Sequence, residues 1–261
     1  MIVQFSKRTR ATIASIVLPL SLLLIWQYIS YTGYVSQLFL PSPAKIVKTF
    51  ISLFVEKEFL LHILTSLKRV LTGFVIGATI GFFFGMLMGL SRTAEKLFAP
   101  FFHVVRQVPI IGWIPLIIMW FGTSELSRDV VITVAAIYPL TLNTFAGVRS
   151  VPKKYIELAS VYGYKKLTLI RKVIIPAALP SIITGINLSL GMSWAILMAA
   201  ELFIQTRIGI GTRIQSGREK FDLALVIAGI ITVGALGFSM TILLEKLGKF
   251  VNRGRLETNE Q

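Results

Sequence analysis

An all-α integral membrane protein with six transmembrane helices is the fold class the sequence predicts, on three observations. Of the 261 residues, 54% are hydrophobic and the mean hydropathy is +0.76, more apolar than a water-soluble domain. The apolar residues gather in runs of about 20, the length that crosses a hydrocarbon layer of about 30 Å as a helix. The 27 Lys and Arg lie mainly in loops between those runs. That placement turns a net charge of +15 away from nucleic acid, which needs a continuous basic face. The chain has no cysteine, which excludes disulfides and thiol chemistry. Neither His62 nor His103 has a neighbour at metal-ligand spacing, so no metal site is expected.

The first run, Ala11 to Ser30, follows Lys7, Arg8 and Arg10. It is too long for a signal-peptide core and lacks a small-x-small site at its end, so it reads as an uncleaved anchor. In the segment Ser30 to Lys68, Pro41 and Pro43 precede Ile46, Val47, Phe50 and Phe54 at helical spacing. This predicts an amphipathic helix, lying in the outer membrane interface or packed as a loop helix.

The second run, Val70 to Ser91, carries Gly73, Gly77, Gly81, Gly85 and Gly89 at four-residue intervals. Helices in lipid associate through close packing, and such a row of small residues forms a groove for a partner helix. Each four-residue step turns about 40° past alignment, so the groove winds and suits a partner crossing at an angle. The partner is another helix of this chain or a second copy.

The third run, Leu97 to Gly122, contains Arg106 and is expected to be broken by Pro100, Pro109 and Pro115, with Gly112, Trp113 and Trp120 nearby. Irregular backbone at membrane depth needs protein or a water-filled cavity around it. An arginine at the centre of a span costs about 2.5–3.5 kcal/mol on insertion scales. Arg106 therefore either faces a solute route or snorkels to the headgroups.

Val130 to Val148 is the fourth span. A basic stretch follows, in which Ser150 and Pro152 open a short helix ending at Gly163. A second short helix is expected from Lys165 to Ile174, with Leu167, Ile170 and Ile174 on one face and a stop at Pro176. The fifth span, Ala177 to Ala200, aligns Ser181, Gly185, Ser189 and Ser193, with Asn187 and Trp194 beside them, as a stripe that packs helices or lines a path. Glu201 at its end either gates or is interfacial. A glycine-containing outer loop with Arg207, Arg213, Arg218 and Lys220 offers a basic surface to an acidic partner, and Leu223 to Leu244 is the last span.

Six spans place both termini on the side of the loops Arg92 to Lys96 and Arg149 to Lys172, which holds the larger share of Lys and Arg. By the positive-inside bias that side is the cytoplasm. A five-span chain would separate the basic loop from Lys7, Arg8 and Arg10.

Glu157, Leu158, Ala159, Gly163 and Pro176 stand where the cytoplasmic loop of ABC-importer permeases carries its Glu-Ala-Ala, Gly and Leu-Pro positions. Leu158, Val173 and Ile175 depart from the usual residues but are apolar and helix-compatible. The run VRQVPIIGWIPLIIMWFG and the early LPSP resemble the permeases for nitrate, sulfonates, taurine and bicarbonate, so the resemblance covers residues 35 to 250. It implies a single type I ABC importer permease domain over 1–261 with an ATPase-coupling loop at 149–176, in a bacterial inner membrane. It also implies a homodimeric pore, two cytoplasmic ATPases that bind ATP and Mg, and an extracytoplasmic substrate-binding protein. The chain has no phosphate-binding loop of its own and is not expected to be an enzyme. Candidate path residues are Arg106, Trp113, Asn187, Ser193, Trp194 and Glu201. A small anion heads the substrate classes, with small heterocycles as the other. An ion-coupled secondary transporter is a separate reading, but no expected span interior carries the Asp or Glu that would bind a coupling ion.

Overall fold

A computed structural model describes residues 7–204 and 207–256. The chain ends expected in the cytoplasm and the first two residues of the outer loop, 205–206, lie outside the described residues. The helices are α1 (Lys7–Thr32), α2 (Pro43–Val55), α3 (Lys57–Leu90), α4 (Arg92–Val105), α5 (Ile114–Phe121), α6 (Glu125–Arg149), α7 (Lys153–Val161), α8 (Lys166–Leu169), α9 (Ile175–Phe203), α10 (Ile210–Glu219) and α11 (Leu223–Leu256). A 3₁₀ turn, Ile110–Trp113, precedes α5, and a π turn, Ile170–Ile174, joins α8 to α9. Among the described residues four helical stretches are each long and apolar enough to cross a membrane, and α4 with 110–121 adds a fifth as a pair bent by 85°.

Two compact units are present, Met1–Leu61 with Arg213–Val233 and His62–Thr212 with Gly234–Gln261. In the first, Ser42 caps α2 by accepting from the Lys45 amide, and Pro43 stands in the first turn, where its missing N–H costs nothing. Ile46 and Leu53 of α2 are buried, while Val47, Ile51, Phe54 and Val55 are exposed. Ser30 donates to the Leu40 carbonyl, and Arg213 pairs with Glu56. The outer stretch expected as a loop is therefore in large part a helix, α10.

The second unit is built on α3, α6 and α9. Each glycine of the α3 row faces α6, in order: Gly73 meets Ile132, Gly77 Thr133 and Ala136, Gly81 Ile137, Gly85 Thr141 and Thr144, and Gly89 Val148. The partner helix is thus in the same chain, and the two run parallel. Against α6, α9 runs antiparallel: Gly147 meets Ala178 and Ser181, Gly185 meets Leu140 and Asn143, and Ser189 donates to the Ala136 carbonyl at 2.8 Å. Gly237 and Gly248 of α11 meet Trp194 and Ile183, so α11 is antiparallel to α9.

The parallel pairing settles what the bent pair does. Since α3 ends level with Val148 and α6 begins level with the start of the glycine row, residues 91–124 must return the whole length of the pair. From Ile132 to Val148 that is about 24 Å of helix rise. A re-entrant loop, leaving by the side it entered, would make α3 and α6 antiparallel. The segment is a broken crossing.

Pro100 does not break it. That proline lies inside α4, and the interruption falls at 106–109, where Val108 precedes Pro109 and is driven from helical geometry. Pro115 is harmless in the first turn of α5. Nor does Pro176 stop the helix that precedes it. Lys166–Phe203 is one helical stretch, and the wide π turn just ahead of Pro176 accommodates the missing amide and the bulk of the ring.

Candidate functional site

The irregular backbone of the broken crossing lines a cleft of about 590 Å³, closed by Tyr138, Pro139, Leu142 and Asn143 of α6 and by Leu188, Met192, Ala195 and Ile196 of α9. Arg106, the C-cap of α4, lies on its wall with Gln107 and is exposed. The Asn143 amide donates to the Pro139 carbonyl at 2.8 Å, which fixes its orientation beside the cleft. A single cation with two amides in largely apolar walls offers an anion a charged hydrogen-bonding partner.

Of the expected path residues, Arg106 alone lines this cleft. Trp113 and Trp194 pack on the core formed by Val70, Ile114, Val131 and Leu197. Ser193 is fully buried on the α9 stripe, whose Ser181, Gly185 and Ser189 all touch α6, so the stripe packs helices. Asn187 is half-buried and apart from the cleft lining. The cleft residues Tyr138, Asn143, Leu188 and Met192 escaped the sequence reading. For Leu188 and Met192 the signal was the 188, 192, 195 spacing beside the serine stripe.

Glu201, expected either to gate or to be interfacial, is buried within the chain. It is 2% exposed, and its carboxylate accepts from Ser66 Oγ (2.7 Å), Arg69 Nη1 (2.7 Å) and the Gly211 amide (2.7 Å). Arg69, 5% exposed, also donates to the Ile208 carbonyl and holds Glu125 through two parallel bonds of 2.8 and 2.7 Å. Arg128 reaches the same Glu125 oxygen at 2.7 Å. The fork of a guanidinium matches a carboxylate in this way, and the bonds are charge-assisted. Glu125 lies in the first turn of α6 behind the Ser124 cap, where the helix dipole favours an anion. His62 Nδ1 lies 2.9 Å from the Gly209 amide nitrogen and 2.8 Å from its carbonyl oxygen, and the Ile210 amide donates to Ser66. Spacings of 4 and 3 put His62, Ser66 and Arg69 on one face of α3.

At the opposite end of α6 lies the basic loop. Helix α7 ends in a Schellman turn: the Tyr164 amide donates to the Ala159 carbonyl and the Gly163 amide to Ser160, with Gly163 at φ +70°. Ala159 is 5% exposed and turns inward beside Ile156, so it offers no surface to a partner. The residues exposed on α7, α8 and the turn between them include Tyr155, Glu157, Leu158, Val161, Tyr162 and Leu167, with Val161 84% exposed. Pro176 begins α9, half-buried. Arg149 pairs with Glu95 at the same end.

A family model described as "Binding-protein-dependent transport system inner membrane component" matches residues 77–253. The chain is 40% identical over 234 residues to the putative aliphatic sulfonates transport permease protein SsuC of Bacillus subtilis (strain 168), covering 88% of this chain and 84% of that one. It is 32% identical over 231 residues to the taurine transport system permease protein TauC of Escherichia coli (strain K12), covering 87% and 84%. To the bicarbonate transport system permease protein CmpB of Synechococcus elongatus it is 31% identical over 269 residues, covering 95% and 93%. Its fold is similar to that of a chain in the inward-facing MetNI methionine ABC transporter, with a TM-score of 0.60 at 18% identity over 76% of this chain and 98% of that one.

Proposed function

Because this chain belongs to the family of binding-protein-dependent transport system inner membrane components, and is an ABC-importer permease, we propose that it carries a small anion through the Arg106 cleft. The observation that supports this is Arg106 standing as a cation in an apolar cleft walled by the broken crossing, α6 and α9. Its relatives' sulfonates, taurine and bicarbonate all carry an anionic group. Arg106→Gln keeps a polar donor but removes the charge. Losing a charge-assisted hydrogen bond of about 1.5–3 kcal/mol should lower anion uptake roughly 10- to 100-fold while co-purified ATPase stays level. Uptake at the parent rate, with cysteine at 106 labelled only from lipid, would return Arg106 to the headgroups.

In this reading two copies form the pore as a homodimer, and the whole chain is one permease domain. The α7 end and both termini face the cytoplasm, and ATP and Mg are bound by two ATPase subunits there. A substrate-binding protein delivers the solute at the other face. Alternating access comes from rocking the two copies against each other as the ATPases close and reopen. The exposed apolar residues of α7 and α8 seat in the ATPase, with Glu157 fixing orientation. Gly163 at φ +70° makes the turn rigid, and a β-branched residue there costs about 1–3 kcal/mol of backbone strain. Glu157→Lys and Gly163→Val should therefore leave the spans inserted but release or uncouple the ATPase. Co-purification and substrate-stimulated ATP hydrolysis in proteoliposomes measure this, and parent values for both variants would remove the loop from the mechanism.

A further inference from the structure

Residues 207–211, the end of the connection from α9 and the first residues of α10, look at first like a flap, a glycine-containing stretch crossing the end of the bundle that bears Glu125 and Phe203. The hydrogen bonds say otherwise. Successive backbone groups are held by buried side chains: the Ile208 carbonyl by Arg69, Gly209 by His62, the Ile210 amide by Ser66 and the Gly211 amide by Glu201. The glycines allow close seating and not freedom. A methyl on Gly209 would stand 2.6 Å from the Glu201 carboxylate, and one on Gly211 2.6 Å from Glu201 Cβ. Lifting the segment would break four side-chain anchors at once and uncover Glu201, 2% exposed, and Arg69, 5% exposed, while removing the Gly211 amide and the Ile208 carbonyl that they bind.

We infer that this segment is a permanent strap, tying α3 to α9 and, through Arg69 and Glu125, to α6, and that it stays seated through the whole transport cycle. A gate that opens in every cycle needs two arrangements of nearly equal free energy. The strap has one arrangement in which all these bonds are made, and leaving it breaks the bonds from Arg69, His62, Ser66 and Glu201 together. Opening at this face then requires α3, α6, α9 and the strap to move as a single body. This rests on the transport reading above.

The chain has no cysteine, so a single introduced pair can be bridged without background. Thr65 of α3 and Ile208 of the strap line one outer pocket, and the Arg69–Glu201 bonds do not use their side chains. Thr65→Cys/Ile208→Cys is bridged with a short bis-methanethiosulfonate reagent, in proteoliposomes containing the cognate ATPase and binding protein. The expected result is transport at the rate of the unbridged pair, with amide exchange at 209–211 equally slow at rest and during ATP turnover. Transport that stops on bridging and returns with reductant overturns the inference, as does faster exchange during turnover or failure of the resting pair to bridge. If the parent chain moves no solute in the same vesicles, the transport reading itself falls, and the strap's role with it.

Discussion

Gly77→Leu is expected to abolish recovery of folded protein from detergent, while Gly234→Ala leaves yield and thermal midpoint unchanged or slightly raised. A Cβ at Gly77 runs into the Thr133 carbonyl oxygen and comes within 2.7 Å of the Ala136 methyl. The first of these is backbone, which yields only if α3 and α6 part along their length. Leucine adds three more carbons to a site that does not admit the first, so the loss should exceed the roughly 1–3 kcal/mol usual for overpacking. Around Gly234 nothing lies within 4 Å, and alanine gains about 0.5–1 kcal/mol of helix preference there. Size-exclusion profiles and thermal scans of the two variants read the difference. A monodisperse Gly77→Leu protein with the parent midpoint would mean that the helices do not pack through this groove.

Glu201→Ala should lower the thermal midpoint by roughly 6–20 °C, the equivalent of about 3–5 kcal/mol for breaking a buried pair in a chain of this size. Alanine leaves Arg69 Nη1, Ser66 Oγ and the Gly211 amide without their shared acceptor. Glu201→Gln keeps one acceptor oxygen and should recover part of the loss. Because an isolated buried charge causes most of the damage, Arg69→Met/Glu201→Leu should fall short of the sum of the single losses. Strict additivity in that cycle, or an unchanged midpoint for alanine, would mean that the two residues do not meet.

The glycine row was legible because its period lies within one helix and its spacing is itself the packing geometry. The sequence left open which helix fills the groove, since nothing local to Val70–Ser91 marks α6. Arg69 and Glu201 were harder. Each stands one residue beyond an expected span edge, where a charged side chain is ordinarily taken up by headgroups, and their pairing joins positions 132 apart. Hydropathy sets span edges by composition and carries no information about long-range partners. The first helix of the basic loop was read to within a residue, because Pro152 and Gly163 mark it locally. Which face Ala159 takes was not legible, because in this short helix Leu158 and Val161 are exposed and the alanine is buried. Pro176 misled because a proline usually ends the helix before it, whereas here a π turn carries the helical stretch through.

The parallel seating of α3 on α6 has a consequence for how the chain is made. The groove of α3 is complete once Leu90 has left the ribosome, but its partner is not complete until Arg149, after the broken crossing has been threaded back through the bilayer. At synthesis rates of about 5–20 residues per second, the intervening stretch takes on the order of 3–12 s. Throughout that interval a row of bare glycine backbone faces lipid or the insertion machinery. A nascent chain in that state is open to pairing with whatever small-residue helix is nearby, including the α3 of another nascent chain, and to quality-control proteolysis.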